Sequence, residues 1–192
     1  MNICVYGASS DAIDREYITT VEKMGEEMAS RGHNLVYGAG AQGLMGAAAR
    51  GVTKGGGKII GVSPSFFKVD GVLYDKCTEM IFTETMRERK QIMEERSDAF
   101  VMTPGGVGTF EEFFEILTLK QLNRHQKAIA VLNLKGYYDD IAQLMTHAAA
   151  GGFMKEETLN LYKFFTDYNE MLDYLEAYRP HNIDIKAMKH IG

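Results

Sequence analysis

Cysteine is nearly absent from this chain of 192 residues, which holds only Cys4 and Cys77. A disulfide framework is therefore excluded as the basis of the fold. Cys4 falls inside an apolar run, so the pair reads as reduced thiols of a cytoplasmic protein. Positive charge is also in deficit: 21 Lys and Arg face 26 Asp and Glu, for a formal net charge of −5. That balance argues against a general nucleic-acid partner and leaves room only for a local basic pocket. No apolar run is long enough to span a bilayer, and no basic segment precedes an apolar one at the N-terminus, so no membrane partner is expected. No His/Cys cluster has metal-ligand spacing, so no metal is implied. Internal repeats and low-complexity segments are missing too. What remains, 45% hydrophobic and 24% charged residues, is the composition of a globular protein with a sizeable core.

The rest of the chain is organised around Pro104-Gly105-Gly106-Val107-Gly108-Thr109-Phe110-Glu111-Glu112. The apolar run Ala99–Met102 before it reads as a buried parallel strand. Phe110, Phe113, Phe114 and Leu117 follow at helical spacing. A strand, a glycine turn and a helix start thus succeed one another, and the unpaired N–H groups of such a start favour an anion. Glycine lets a bound group approach the backbone. A second reading stands beside this one, because Thr109 and Glu112 also form the T-x-x-E pattern of a capping box.

In chain order, a strand at Ile3–Tyr6 runs into Gly7-Ala8-Ser9-Ser10-Asp11, which is either a phosphate or ribose contact or a turn with a helix cap. A helix spans about Arg15 to Ser30, closed by Gly32. The strand Asn34–Tyr37 leads into Gly38-Ala39-Gly40-Ala41-Gln42-Gly43, a G-x-G-x-x-G with Gly40 and Gly43 as candidate ligand contacts. The next strand, Lys58–Val62, ends in Ser63-Pro64 without the acidic residue that a dinucleotide ribose requires, so a mononucleotide loop is the reading that survives. Ser63 to Met80 is a long connection without clear period, and such connections are often functional. In a helix over about Thr85 to Ser97, Met86, Arg89, Lys90 and Met93 share one stripe. Two cations on an inward face need a carboxylate or an anion, unless both side chains snorkel outward. Further strands are expected at Ala128–Asn133 and Leu161–Phe165, and further helices at about Gly136–Ala150 and Tyr168–Tyr178. The aromatics Phe113, Phe114, Tyr137 and Tyr138 suit either an interface or the core.

This alternation predicts an α/β fold, doubly wound, with a mostly parallel Rossmann-like sheet and helices on both faces. Residues 1–180 form one nucleotide-binding domain in this reading, and 181–192 a C-terminal tail. The Gly7–Ser10, Gly38–Gly46 and Gly105–Thr109 loops then share the carboxyl edge of the sheet, where ligands bind.

The motif P-G-G-x-G-T-x-x-E, with Glu88-Arg89-Lys90 and Gly43-Leu44-Met45-Gly46, resembles the LONELY GUY (LOG) family of cytokinin-activating phosphoribohydrolases, often mislabelled lysine decarboxylases. The resemblance covers about Ile3 to Met154. It implies hydrolysis of the N-glycosidic bond of a nucleoside 5′-monophosphate, with or without an N6 substituent on adenine, to free base and ribose 5-phosphate. It implies Arg89 and Glu112 as the catalytic pair. The phosphate would lie on Gly105, Gly106, Gly108 and Thr109, and further substrate contacts would come from Glu79, Met86, Lys90, Glu111 and Thr118, with Gly7, Ser9, Gly40 and Gly43 at the loops. No cofactor is implied, and the implied assembly is a homodimer. The chemistry suits those residue types, since cleaving a riboside builds positive charge on the sugar and a carboxylate either stabilises it or activates water. Two other readings share the motifs: a general AMP or purine nucleotide nucleosidase, and a non-catalytic carrier of a phosphorylated cofactor. A decarboxylase would need a Schiff-base lysine, for which Lys90 is the one inward candidate. The chain departs from the family's pattern at Thr85 and Arg87, where an acid and a histidine are common, and at Ala39, where glycine is common.

Overall fold

The computed structural model describes residues 1–180, so the tail at 181–192 lies outside the described residues. Seven strands form one sheet: β1 (Asn2–Tyr6), β2 (Asn34–Tyr37), β3 (Ile59–Pro64), β4 (Glu79–Thr83), β5 (Ala99–Met102), β6 (Ala128–Leu132) and β7 (Lys163–Phe165). Their order is β4-β3-β2-β1-β5-β6-β7, and all six pairings are parallel. Between them run α1 (Arg15–Ser30), α2 (Gly43–Lys54), α3 (Met86–Glu95), α4 (Val107–Gln121) and α5 (Asp139–Ala150), and α6 (Tyr168–Ala177) follows the last strand.

The central strands are mainly apolar because both faces are covered. Along β1, Ile3 and Val5 join a cluster with Val21 and Met24 of α1 and Leu172 of α6. Cys4 and Tyr6 face the other way, with Met93 of α3 and Phe113 and Ile116 of α4. This is the period-2 alternation of a strand between two helical layers. Each buried Ile, Val or Phe in it contributes roughly 1.5–3 kcal/mol. The expected aromatic group divides in the same way: Phe113 and Tyr138 are core residues, whereas Tyr137 is exposed at its edge. Cys4 and Cys77 are free thiols. No helix among the described residues is long and apolar enough to cross a membrane.

The strand order reverses at β1 and β5, which pair directly although β2, β3 and β4 intervene in sequence. Connections from these two strands depart to opposite sides, so a crevice opens above their carboxyl ends. The Ala8 N–H donates to the Pro104 carbonyl at 3.0 Å and ties the two departing loops together at its floor.

Candidate active site

Most helices that start near this edge have their first donors occupied. Asp14 caps α1, Thr85 caps α3 and Asp167 caps α6 through side-chain oxygens. The first N–H groups of α2 are taken by Asp11, which accepts from Gly43, and by the Ala8 carbonyl, which accepts from Leu44. The start of α4 differs. Its N-cap is Gly106, which has no side chain to supply a cap, so the donors of the first turn stay open to the crevice. The capping-box reading of Thr109 and Glu112 fails for the same reason. With the cap at Gly106, Thr109 is already the third helical residue. A Cβ on Gly106 or Gly108 would meet nothing within 4 Å, so both glycines face open space.

The crevice is a cleft of about 770 Å³, lined by Gly7, Ser9, Gly40, Met86, Gly106, Gly108 and Thr109 among the expected contacts, together with Arg89 and Glu112. Its size falls within the range of small-molecule sites. Arg89 comes from α3 and Glu112 from α4. Their side chains meet at 3.0 Å, Nη1 to Oε1, with only 8% and 11% of their surfaces exposed. Arg89 Nε also donates to the Val62 carbonyl at 3.2 Å, which fixes the guanidinium against the end of β3. The snorkelling reading is thus overturned for Arg89, because it has a buried carboxylate partner. Burial pushes the Glu112 carboxyl above its ordinary range, and the Arg89 charge beside it pulls the other way without cancelling the effect.

Gly38 makes room for this arrangement, since a Cβ there would stand 2.0 Å from Arg89 Nη2. Ala39, at a position where the resembled family has glycine, holds φ +62° in the left-handed region. Its carbonyl accepts from the Tyr74 N–H, and the Ala41 N–H donates to the Val72 carbonyl, so the glycine loop is stitched to the long connection after β3. That connection supplies Phe67, Asp70, Val72 and Leu73 to the cleft wall. The sequence marks the segment as functional, Phe67 and Asp70 included, but gives none of these residues a role, since it has no period from which a face can be read.

Some expected contacts stand elsewhere. Lys90 turns to the far side of Glu112, pairs with Glu111 and Glu115, and lines a second cavity of about 340 Å³ with Arg87 and Glu94. Glu111 is exposed there and does not line the main cleft. Gly105 sits behind the lining, and Gly43, at φ +61°, shapes the turn into α2 without facing the cleft. Thr118 is exposed nine residues along α4 from Thr109, about 14 Å at the helical rise. Glu79 is corrected more fully. It opens β4 at the amino edge of the sheet, about 13 Å from the carboxyl edge. There it accepts two hydrogen bonds from Arg96, at 2.9 and 2.6 Å.

Comparison with known proteins identifies the family and the fold. Residues 45–175 match the model of the family described as "Possible lysine decarboxylase". A rice protein, the probable cytokinin riboside 5′-monophosphate phosphoribohydrolase LOGL9 of Oryza sativa subsp. japonica, is 38% identical over 93% of this chain and 78% of its own. The Arabidopsis thaliana phosphoribohydrolase LOG5 is 33% identical over 96% of this chain and 81% of its own. In fold, the chain resembles the molybdenum cofactor carrier protein of Chlamydomonas reinhardtii, with a TM-score of 0.68 and 22% identity over 92% of this chain and 98% of that one. It also resembles the molybdenum cofactor binding protein of Rippkaea orientalis, with a TM-score of 0.64 and 18% identity over 92% and 94%. Conserved sequence over nearly the whole chain, joined to a motif that builds the buried pair and the open helix start, places this protein in the LOG family of phosphoribohydrolases.

Proposed function

We propose that this protein hydrolyses the N-glycosidic bond of adenosine 5′-monophosphates, with preference for those bearing an apolar N6 substituent. The observation that carries the reading is the buried Arg89–Glu112 pair in a cleft that the open N-terminus of α4 also lines. The 5′-phosphate lies on the N–H groups from Gly106 to Thr109, where donors and helix dipole both favour an anion. The ribose then spans towards Glu112. Water attacks C1′, the C1′–N bond breaks, and the electron pair leaves with the base, which takes up a proton from solvent, to which Glu112 later returns one. Glu112 accepts the proton of the attacking water, and its charge faces the positive charge that develops on the ribose ring. Its raised pKa suits a base working near neutral pH, and Arg89 orients it and holds it ionised. Phe67, Val72, Leu73 and Met86 offer an apolar wall to the N6 substituent.

The catalytic reading is favoured over the carrier reading because binding a phosphate requires no buried glutamate paired to an arginine. The same reading carries a homodimer in the cytoplasm, which light scattering and localisation of a tagged protein would check. The deciding experiment incubates the protein with AMP and with N6-isopentenyl-AMP and follows free base and ribose 5-phosphate by chromatography. Preferential release of the prenylated base, lost in Glu112→Gln, is the expected result. Equal cleavage of both nucleotides would assign a general nucleosidase. Binding without cleavage of either would leave the carrier.

A further inference from the structure

Three consecutive carbonyls in the turn between β5 and α4 accept hydrogen bonds that fix the turn's orientation. Tyr138 Oη donates to the Thr103 carbonyl at 2.7 Å, the Ala8 N–H to that of Pro104 at 3.0 Å, and Tyr137 Oη to that of Gly105 at 2.8 Å. In a planar trans peptide the carbonyl and the following N–H point in opposite directions. Pinning the Gly105 oxygen towards Tyr137 therefore aims the Gly106 N–H the other way, and Gly106 is a cleft-lining residue. This peptide joins two glycines. With no Cβ on either side, it has the lowest steric barrier to turning over, and a flipped peptide would present a carbonyl oxygen where the anion is to lie.

We propose that Tyr137 is a positioning residue whose hydroxyl holds the Gly105–Gly106 peptide in its anion-binding orientation. The inference rests on reading the start of α4 as the 5′-phosphate site. The ring of Tyr137 is held independently of its hydroxyl, edge-on to Tyr17 and to Tyr138 with centroids 6.2 and 4.9 Å away. It is 44% exposed, so removing the oxygen leaves the packing in place. Tyr138 provides the contrast within the same turn. It is fully buried, and its hydroxyl donates to the Thr103 carbonyl and faces the N–H of Gly105, a residue that does not line the cleft. One tyrosine thus orients a donor at the cleft, and the other satisfies backbone groups buried away from it.

The test measures binding of inorganic phosphate and of ribose 5-phosphate by calorimetry, with thermal unfolding and AMP kinetics, for the native protein, Tyr137→Phe and Tyr138→Phe. In Tyr137→Phe, phosphate affinity is expected to fall about tenfold, the size of a weakened hydrogen bond to a charged group. KM for the nucleotide should rise by a similar factor, with a smaller change in kcat and an unfolding temperature near native. Tyr138→Phe should unfold at lower temperature yet bind phosphate as the native protein does. Native phosphate affinity in Tyr137→Phe, or an equal loss in both variants, would overturn the assignment. Binding of neither phosphate nor ribose 5-phosphate by the native protein would instead overturn the phosphate-site reading beneath it.

Discussion

Nη1 of Arg89 stands 3.0 Å from Oε1 of Glu112, and the two side chains reach that contact from different helices, α3 and α4. Neither helix forms the site alone, and the pair exists only because β5 separates the two helices in sequence and joins them in space. Substituting Glu112 by Gln keeps the shape and removes the charge, and base release is expected to fall by about 10²–10⁴-fold, the usual contribution of a positioned base. Arg89→Ala leaves a buried carboxylate unpaired, which should also destabilise the fold by roughly 3–5 kcal/mol. Urea unfolding and product chromatography on the same samples check both, and a Glu112→Gln protein of native activity would remove the residue from the mechanism.

Gly38 is expected to be as necessary as either partner. The Cβ of Gly38→Ala would collide with Arg89 Nη2, the far end of a flexible side chain, so the guanidinium can move and the fold can survive. The expected outcome is a folded protein with near-native unfolding and activity lowered at least tenfold, about 1.4 kcal/mol in the barrier. Retained activity would mean that Arg89 has no fixed position to lose.

Glu112 also predicts a pH dependence. Its folded pKa lies above the ordinary glutamate value because burial disfavours the charged form, with Arg89 acting in the opposite direction. A raised carboxylate contributes stability when protonated, fully present below the unfolded pKa and lost as pH rises through the folded one. Activity runs the other way, since the base must be ionised, so the acidic limb of kcat/KM should lie above the ordinary glutamate pKa. Arg89→Met removes the main influence that lowers the value. A carbon-13 NMR titration of Glu112 should therefore move upward in that variant, and an unchanged titration would disconnect the two groups.

His125 predicts acid sensitivity remote from the site. Its Nδ1 accepts from the Lys127 N–H at 3.2 Å, so Nε2 carries the proton and donates to the Ile116 carbonyl at 2.9 Å. Burial, assisted by the charges of Lys120 and Lys127, lowers its pKa from 6.5 to about 4. The unfolded state then binds the proton more readily. The contribution is present above pH 6.5 and lost as pH falls through 4, a change on the order of 2–3 kcal/mol. Urea midpoints measured from pH 7.5 to 4 should show this slope, and His125→Gln should flatten it.

Much of this was legible in the sequence, and the parts that were not share a physical cause. Local pattern alone specified every strand but β4, because buried parallel strands such as Ala99–Met102 are apolar without interruption, whereas β4 is partly exposed and opens on Glu79. It also marked the glycine turns and the stripe that carries Arg89, and a motif match selected Glu112. Tertiary structure decided matters that depend on where a helix begins or which side of it another element covers. The T-x-x-E pattern occurs at both Thr85–Glu88 and Thr109–Glu112, yet only Thr85 caps, since α4 starts two residues before Thr109. Arg89 and Lys90 are adjacent in the chain but reach opposite sides of Glu112, because successive residues on a helix differ by about 100°. Glu79 matched a spacing but sits at the wrong end of its strand, a difference that spacing does not encode when strand direction and length are unknown. The sequence alone therefore determined most of the elements and which residue types make the pair. The pair's burial, the open donors of α4 and the tyrosines behind them follow from long-range packing, which no local pattern contains.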